Sequence, residues 1–122
     1  METIRTILIC DDEASLRELV RATLDSGYRF AEATDGFVAL ELADELRPDL
    51  VVLDLMLPRT SGLDVLTQIR SHPHLGGTPV VVITAWSDAE DAAHAAGADR
   101  FVAKPFEPDE LKSIVEELLA DR

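Results

Sequence analysis

The chain has a single cysteine, Cys10, so no internal disulfide can form. Its place in an apolar run makes it a small buried side chain and a poor choice for a catalytic thiol. Bases are scarce. Eleven Lys and Arg stand against 24 Asp and Glu, for a formal net charge of −13. Such a surface does not attract phosphate backbones or anionic membrane without a local basic patch. The nearest approach to one is Arg5 and Arg17, on either side of an acidic cluster, so direct nucleic-acid binding is not expected. No apolar stretch reaches bilayer length, and Met1-Glu2-Thr3-Ile4-Arg5 has no apolar h-region, so a soluble, cytoplasmic protein is expected. There is no Gly-rich nucleotide box, and no linker, repeat or low-complexity segment. One domain over residues 1–122 is expected, long enough to bury a continuous core.

What the chain does have is a series of short apolar runs, each ending in a polar group. Ile7-Leu8-Ile9-Cys10 leads into Asp11-Asp12-Glu13, and Leu50-Val51-Val52-Leu53 into Asp54. Val80-Val81-Val82-Ile83 leads into Thr84, and Phe101-Val102-Ala103 into Lys104-Pro105. Continuous apolar runs of this length predict strands covered on both faces. Arg29-Phe30-Ala31-Glu32-Ala33 alternates instead, which predicts a half-exposed edge strand.

Helical spacing fills the intervals. Leu16, Leu19, Val20, Thr23 and Leu24 make one stripe, ended by Gly27; Ala39, Leu42, Ala43 and Leu46 make another, stopped by Pro48. Val65, Leu66 and Ile69 precede His72-Pro73. The last helix opens with Pro108-Asp109-Glu110 and carries Leu111, Ile114, Val115, Leu118 and Leu119 on one face. Five strand–helix repeats predict a doubly wound α/β domain with helices on both faces of a parallel sheet.

In such sheets functional groups collect at the carboxyl ends of the strands. Asp11-Asp12 alone could be acids answering a helix dipole, Thr84 a capping residue, and Lys104 a solvated surface lysine. Asp54 is harder to explain that way. Clustered like charges raise one another's pKa and cost stability unless something positive sits among them. Mg²⁺, a hard cation that takes oxygen ligands and keeps exchangeable waters, suits the place. A cis Lys104-Pro105 bond would aim the ammonium inward.

In this order the marks resemble the receiver domain of two-component response regulators, over essentially the whole chain. They are Asp11-Asp12, Asp54 followed by Leu55-Met56-Leu57-Pro58 and Gly62, Thr84-Ala85, Ala96-Gly97-Ala98, and Lys104-Pro105-Phe106. The resemblance implies a five-stranded parallel sheet in the order 2-1-3-4-5, flavodoxin-like. It implies that Asp54 accepts a phosphoryl group from a phosphohistidine of a sensor histidine kinase or histidine phosphotransfer protein. Asp12, Asp54 and the Met56 backbone carbonyl would hold Mg²⁺, with Asp11 acting through a water. Lys104 and Thr84 would bind phosphoryl oxygens, and Thr84 and Phe101 would form the switch that controls an output partner. Met56 and Trp86 would border the route of the hydrolytic water. Such a domain promotes only its own phosphorylation and dephosphorylation and is not an enzyme acting on a separate substrate.

One departure stands out. Thr84 to Gly97 is about two residues short for the family and rich in alanine, which predicts a short, lightly anchored fourth helix and leaves the usual output face in doubt. His72 and His74 flank Pro73 and read as surface residues with no third ligand near them, His94 falls in the short fourth helix, and none sits in a histidine-kinase phosphorylation motif. Rival readings are a haloacid dehalogenase type phosphatase or phosphotransferase, an FMN carrier, or a receiver-like module that no longer accepts phosphate. The first wants a second Asp two residues after the first-strand nucleophile, where Glu13 follows Asp11-Asp12; the second wants a hydroxyl- and glycine-rich loop there; intact Asp12, Asp54 and Lys104 argue against the third. Arg122 directly follows the last helix, as in a stand-alone receiver or a piece of a longer regulator or hybrid kinase.

Overall fold

A computed structural model describes residues 4–24 and 27–120. Residues 1–3 and Arg122, on which the readings of the two termini partly rest, lie outside the described residues. Strands and helices alternate in chain order: β1 Arg5–Cys10, α1 Ala14–Leu24, β2 Tyr28–Ala33, α2 Gly36–Leu46, β3 Leu50–Leu53, α3 Gly62–Ser71, β4 Val80–Thr84, α4 Glu90–Ala96, β5 Arg100–Ala103 and α5 Pro108–Ala120. All neighbouring strands pair in parallel, in the order β2-β1-β3-β4-β5, so the alternating β2 is an edge strand as expected.

The apolar runs are continuous because successive strand residues point to opposite faces and both faces are covered. Ile7, Ile9, Leu50, Val52, Val81 and Ile83 pack with Val20 of α1 and Leu111, Val115 and Leu119 of α5. Leu8, Val51, Leu53, Val80 and Val82 pack with Ala39 and Ala43 of α2, Leu66 and Ile69 of α3 and Ala93 of α4. Cys10 is enclosed in this second layer, and burial, followed by the neighbouring Asp11 charge, pushes its thiol pKa far up, so it stays protonated and inert.

Two helix positions depart from the simple stripe. Leu19 is 44% exposed and Leu46 43% exposed. Leu46 is the last residue of α2, before Arg47 turns left-handed (φ 48°) ahead of Pro48, and lies beyond the sheet's cover. Leu19 borders an open cleft between α1 and the turn after β5. α4 is short, as predicted. It has seven residues, no side-chain N-cap, and only Ala93 fully buried. No helix among the described residues is long and apolar enough to cross a membrane.

Register places the site. Cys10 pairs with Leu53, so Asp11 and Asp54, one residue further on each strand, leave the sheet side by side, with the Asp54 amide donating to the Cys10 carbonyl (2.9 Å). Thr84 pairs with Ala103, and the Lys104 amide donates to the Thr84 carbonyl (2.9 Å). After Asp54 the chain folds back, and the Gly62 amide donates to the Leu55 carbonyl (2.9 Å). A Cβ on Gly62 would be driven into the Asp54 carbonyl oxygen and the Leu55 Cα, both backbone atoms that cannot step aside. Gly62→Ala should therefore cost about 1–3 kcal/mol. Urea unfolding checks this, and an unchanged midpoint would mean that the loop yields freely.

Candidate functional site

Asp54 is only 5% exposed, and Asp11 is equally enclosed. Asp54 Oδ1 accepts from the Met56 amide (3.0 Å), and Asp11 Oδ1 accepts from the Glu13 amide (2.9 Å). Each carboxylate thus has one oxygen fixed by its own loop. The other oxygens face a common cation. Lys104 Nζ lies 2.9 Å from Asp11 Oδ2, 2.9 Å from Asp54 Oδ2 and 3.3 Å from Glu13 Oε1, with the Lys104-Pro105 bond cis.

These contacts split the two buried acids. Burial raises the Asp11 pKa above the usual carboxylate range; the Glu13 amide and Lys104 oppose it without prevailing, and the Asp54 charge adds to the rise. Burial also works to raise Asp54, but the Met56 amide, Lys104 and the Thr84 hydroxyl outweigh it and hold that carboxyl below its ordinary value. Burial would lower Lys104, yet its bonds and charge pairs with Asp11 and Asp54 hold it well above an ordinary lysine, so it stays charged. Asp54 is the carboxylate kept ionised.

Asp12 is exposed and has no hydrogen bond or ion pair among the described residues. One carboxylate oxygen each from Asp11, Asp12 and Asp54 converge to within 4.8 Å of one another. Three hard oxygens, one on a side chain without a partner, fit a divalent cation of the Mg²⁺ kind. Among the described residues no other such group of His, Cys, Asp and Glu occurs. His72 Nε2 is 2.7 Å from Asp44 Oδ1 and its Nδ1 accepts from the His74 amide, while His94 is exposed.

The remaining predicted residues differ in burial. Thr84 is fully buried, and its Oγ1 accepts from the Trp86 amide at 3.3 Å. Phe101 is half-buried against the α2–α3–α4 layer. Met56 and Trp86 expose 59% and 45% of their surfaces. Two features were missed in the sequence. Glu13 joins the Lys104 contacts, and Asp11 bonds the lysine directly.

Residues 7–116 match the family model described as the response regulator receiver domain. The chain belongs to this family. This receiver is 44% identical over 115 residues to the DNA-binding response regulator MtrA of Mycobacterium tuberculosis, covering 91% of this chain and 49% of that protein. It is 45% identical over 109 residues to the probable transcriptional regulatory protein TcrX of the same organism, covering 87% of this chain and 46% of the relative. The chain therefore spans about half the length of these relatives, and the DNA binding in the first one's name is said of that protein. A putative response regulator from Chloroflexus aurantiacus superposes with a TM-score of 0.91 at 34% identity, over 97% of this chain and 99% of the other. The chemotaxis response regulator CheY4 of Vibrio cholerae gives 0.88 at 31%, over 96% and 100%.

The divided pKa values make a signed prediction for this receiver without divalent cation. A carboxyl raised in the folded state takes up its proton before the unfolded chain does. Stability therefore rises as pH falls from the raised Asp11 value toward the unfolded value near ~3.9. Asp54 acts in the next window: its contribution is complete above the unfolded value and is lost as pH falls from there through its depressed folded value. Asp11→Asn should raise the melting temperature at pH 7 and flatten the rise on mild acidification. Melts of both proteins in chelator across pH 4–8 test the sign, and a less stable Asp11→Asn at pH 7 would refute it.

Proposed function

We propose that this receiver accepts a phosphoryl group on Asp54 from a phosphohistidine of a partner kinase or phosphotransfer protein. The observation that carries the reading is the Lys104 ammonium at 2.9 Å from both Asp54 and Asp11. Asp54 Oδ attacks phosphorus, the P–N bond breaks, and the imidazole departs with that electron pair. No general base is needed, because Asp54 is already ionised. Lys104 exchanges a carboxylate for a phosphoryl oxygen, and the Thr84 hydroxyl donates to another. Asp12, Asp54 and the Met56 carbonyl would hold Mg²⁺, with Asp11 behind a water; when bound, the ion neutralises charge on the transferring group. Beside Lys104 a cleft of about 530 Å³, lined by Leu16, Leu19, Ala85, Pro105 and Phe106, gives the donor a partly apolar approach.

The phosphatase reading places the nucleophile after the first strand, on Asp11. Burial holds that carboxyl above its ordinary value, whereas Asp54 is the one held below it. The chain then turns over no separate substrate, and its phosphorylated state is its output. Thr84 moves toward the phosphoryl group and Phe101 turns inward behind it, which shifts the population between two packings and signals to an output domain or protein.

Acetyl phosphate with Mg²⁺, or a phosphorylated partner, should add one phosphoryl group to the wild type and none to Asp54→Asn, as read by intact mass. Equal labelling of the two would remove Asp54 from the role. Mg²⁺ at a hundred times its dissociation constant should stabilise the wild type by about 2.7 kcal/mol. Asp12→Ala should lose most of that gain, and a full gain would place the ion elsewhere.

Trp86 and Met56, bulky and largely apolar, would keep water from the acyl phosphate. Trp86→Ala should lose its phosphoryl group several-fold faster than wild type, and Trp86 emission should change when Mg²⁺ and beryllofluoride fill the site. Unchanged rates together with unchanged emission would make Trp86 a surface residue only.

A further inference from the structure

The acidic loop after β1 is held from behind by an arginine that touches none of the three carboxylates assigned to the cation. Arg17 stands on α1, only 15% exposed at its side chain, and its Nη1 donates to the Asp11 backbone carbonyl at 2.8 Å. Its Nε donates to Glu32 Oε1 at 2.7 Å, and Glu32 Oε2 accepts from Arg21 Nη1 at 2.6 Å. Glu32 lies on β2 opposite Ile9, and the next β2 residue, Ala33, accepts the Asp11 amide on its carbonyl at 3.0 Å. Asp11 is thus fixed at both its backbone polar groups, by β2 on one side and by Arg17 on the other.

The carbonyl that Arg17 holds belongs to the peptide joining Asp11 to Asp12. Its orientation sets the direction in which the Asp12 side chain leaves the loop. Asp12 has no side-chain partner of its own among the described residues, so its aim is inherited from that peptide plane. We infer that Arg17 is a positioning residue that sets the affinity of the acidic loop for its divalent cation by clamping the Asp11–Asp12 peptide. This rests on the cation reading above.

Two physical effects of Arg17 oppose each other, and their signs differ. A fixed positive charge near a cation site repels the ion, so by charge alone removing Arg17 tightens binding. Loss of the clamp frees the Asp12 carboxylate and weakens binding. Glu32 neutralises most of the arginine's field, with its own carboxyl held well ionised by the Arg17 hydrogen bond and, against burial, by Arg21. The clamp therefore dominates. Partners of this kind behind metal ligands change affinity by about 10–100-fold when removed.

Calorimetric titration with Mg²⁺ at fixed ionic strength is the test, on wild type, Arg17→Met, Arg17→Ala, Arg17→Lys and Arg21→Ala, with urea unfolding to confirm that each is folded. Arg17→Met and Arg17→Ala should bind Mg²⁺ about 10-fold more weakly. Their phosphorylation rate at saturating Mg²⁺ should stay near that of wild type, since the clamp acts on cation capture. Arg17→Lys keeps the charge but not the two-pronged donor and should remain weakened. Arg21→Ala, which loses a Glu32 contact without touching Asp11, should bind as wild type does. Unchanged or tighter binding in the Arg17 variants overturns the clamp, and so does an equal loss in Arg21→Ala. Should both truncations fail to fold, Arg17→Lys, which keeps the charge near the site and loses the fork, must by itself weaken Mg²⁺ binding for the clamp to stand. Failure of the cation reading itself looks different: wild type then takes up no Mg²⁺, or Asp12→Ala binds it fully.

Discussion

One ammonium makes the rest of this structure tenable. Two adjacent parallel strands each end in a buried carboxylate, and in register those carboxylates emerge beside one another. Without a cation between them their repulsion would force one to protonate or the strand ends to part. Lys104 comes from the far edge strand and reaches both, while its own amide stays bonded to the Thr84 carbonyl. It therefore ties the ends of β1, β3, β4 and β5 into one electrostatic unit.

The two-sided cover of the sheet gives this unit its precision. β3 has four residues, all buried, so Asp54 projects from a segment that cannot tilt without disturbing both core layers. The loop after it is folded back by the Gly62–Leu55 hydrogen bond, and the Met56 amide fixes one Asp54 oxygen. The other oxygen is held by Lys104 at 2.9 Å. On the phosphoacceptor reading, a nucleophile held this way needs little reorganisation to meet a phosphorus atom, which is the main thing phosphoryl transfer asks of a protein.

Much of this was legible from residue order, and the reasons are local. Continuous apolar runs announce strands buried on both faces, and the single alternating run, around Phe30, announced an edge. The polar residue ending each run is by construction at the carboxyl edge of a parallel sheet, so residue order alone gathers Asp11, Asp54, Thr84 and Lys104 there. Contacts between elements were not legible. Leu19 and Leu46 obey helical spacing yet stay exposed, because spacing names a face and says nothing of where the neighbouring layer ends. Arg17 was visible only as a base near acids. Its partner Glu32 is fifteen residues away on a strand whose register no local pattern encodes. The split between Asp11 and Asp54 was equally hidden, since two aspartates of the same composition differ only in how many donors burial leaves them.

α4 shows how a weak element can still be a defined one. Its buried contacts are alanines, and its first turn has no side-chain cap, so little holds its N-terminal end. Its C-terminal end is stapled. Arg70 of α3 donates to the Gly97 carbonyl (2.9 Å) and the Thr78 carbonyl (2.6 Å) and pairs with Asp99 (2.9 Å), which also accepts the Val80 amide. On the phosphoacceptor reading, the Thr84 hydroxyl that must turn toward the phosphoryl group is the one that now accepts the Trp86 amide, at a long 3.3 Å. Its departure gives up that contact with the loop leading into α4, while Arg70 holds the far end. A helix fixed at one end and released at the other has a small set of alternative positions, which is what a two-state signal requires.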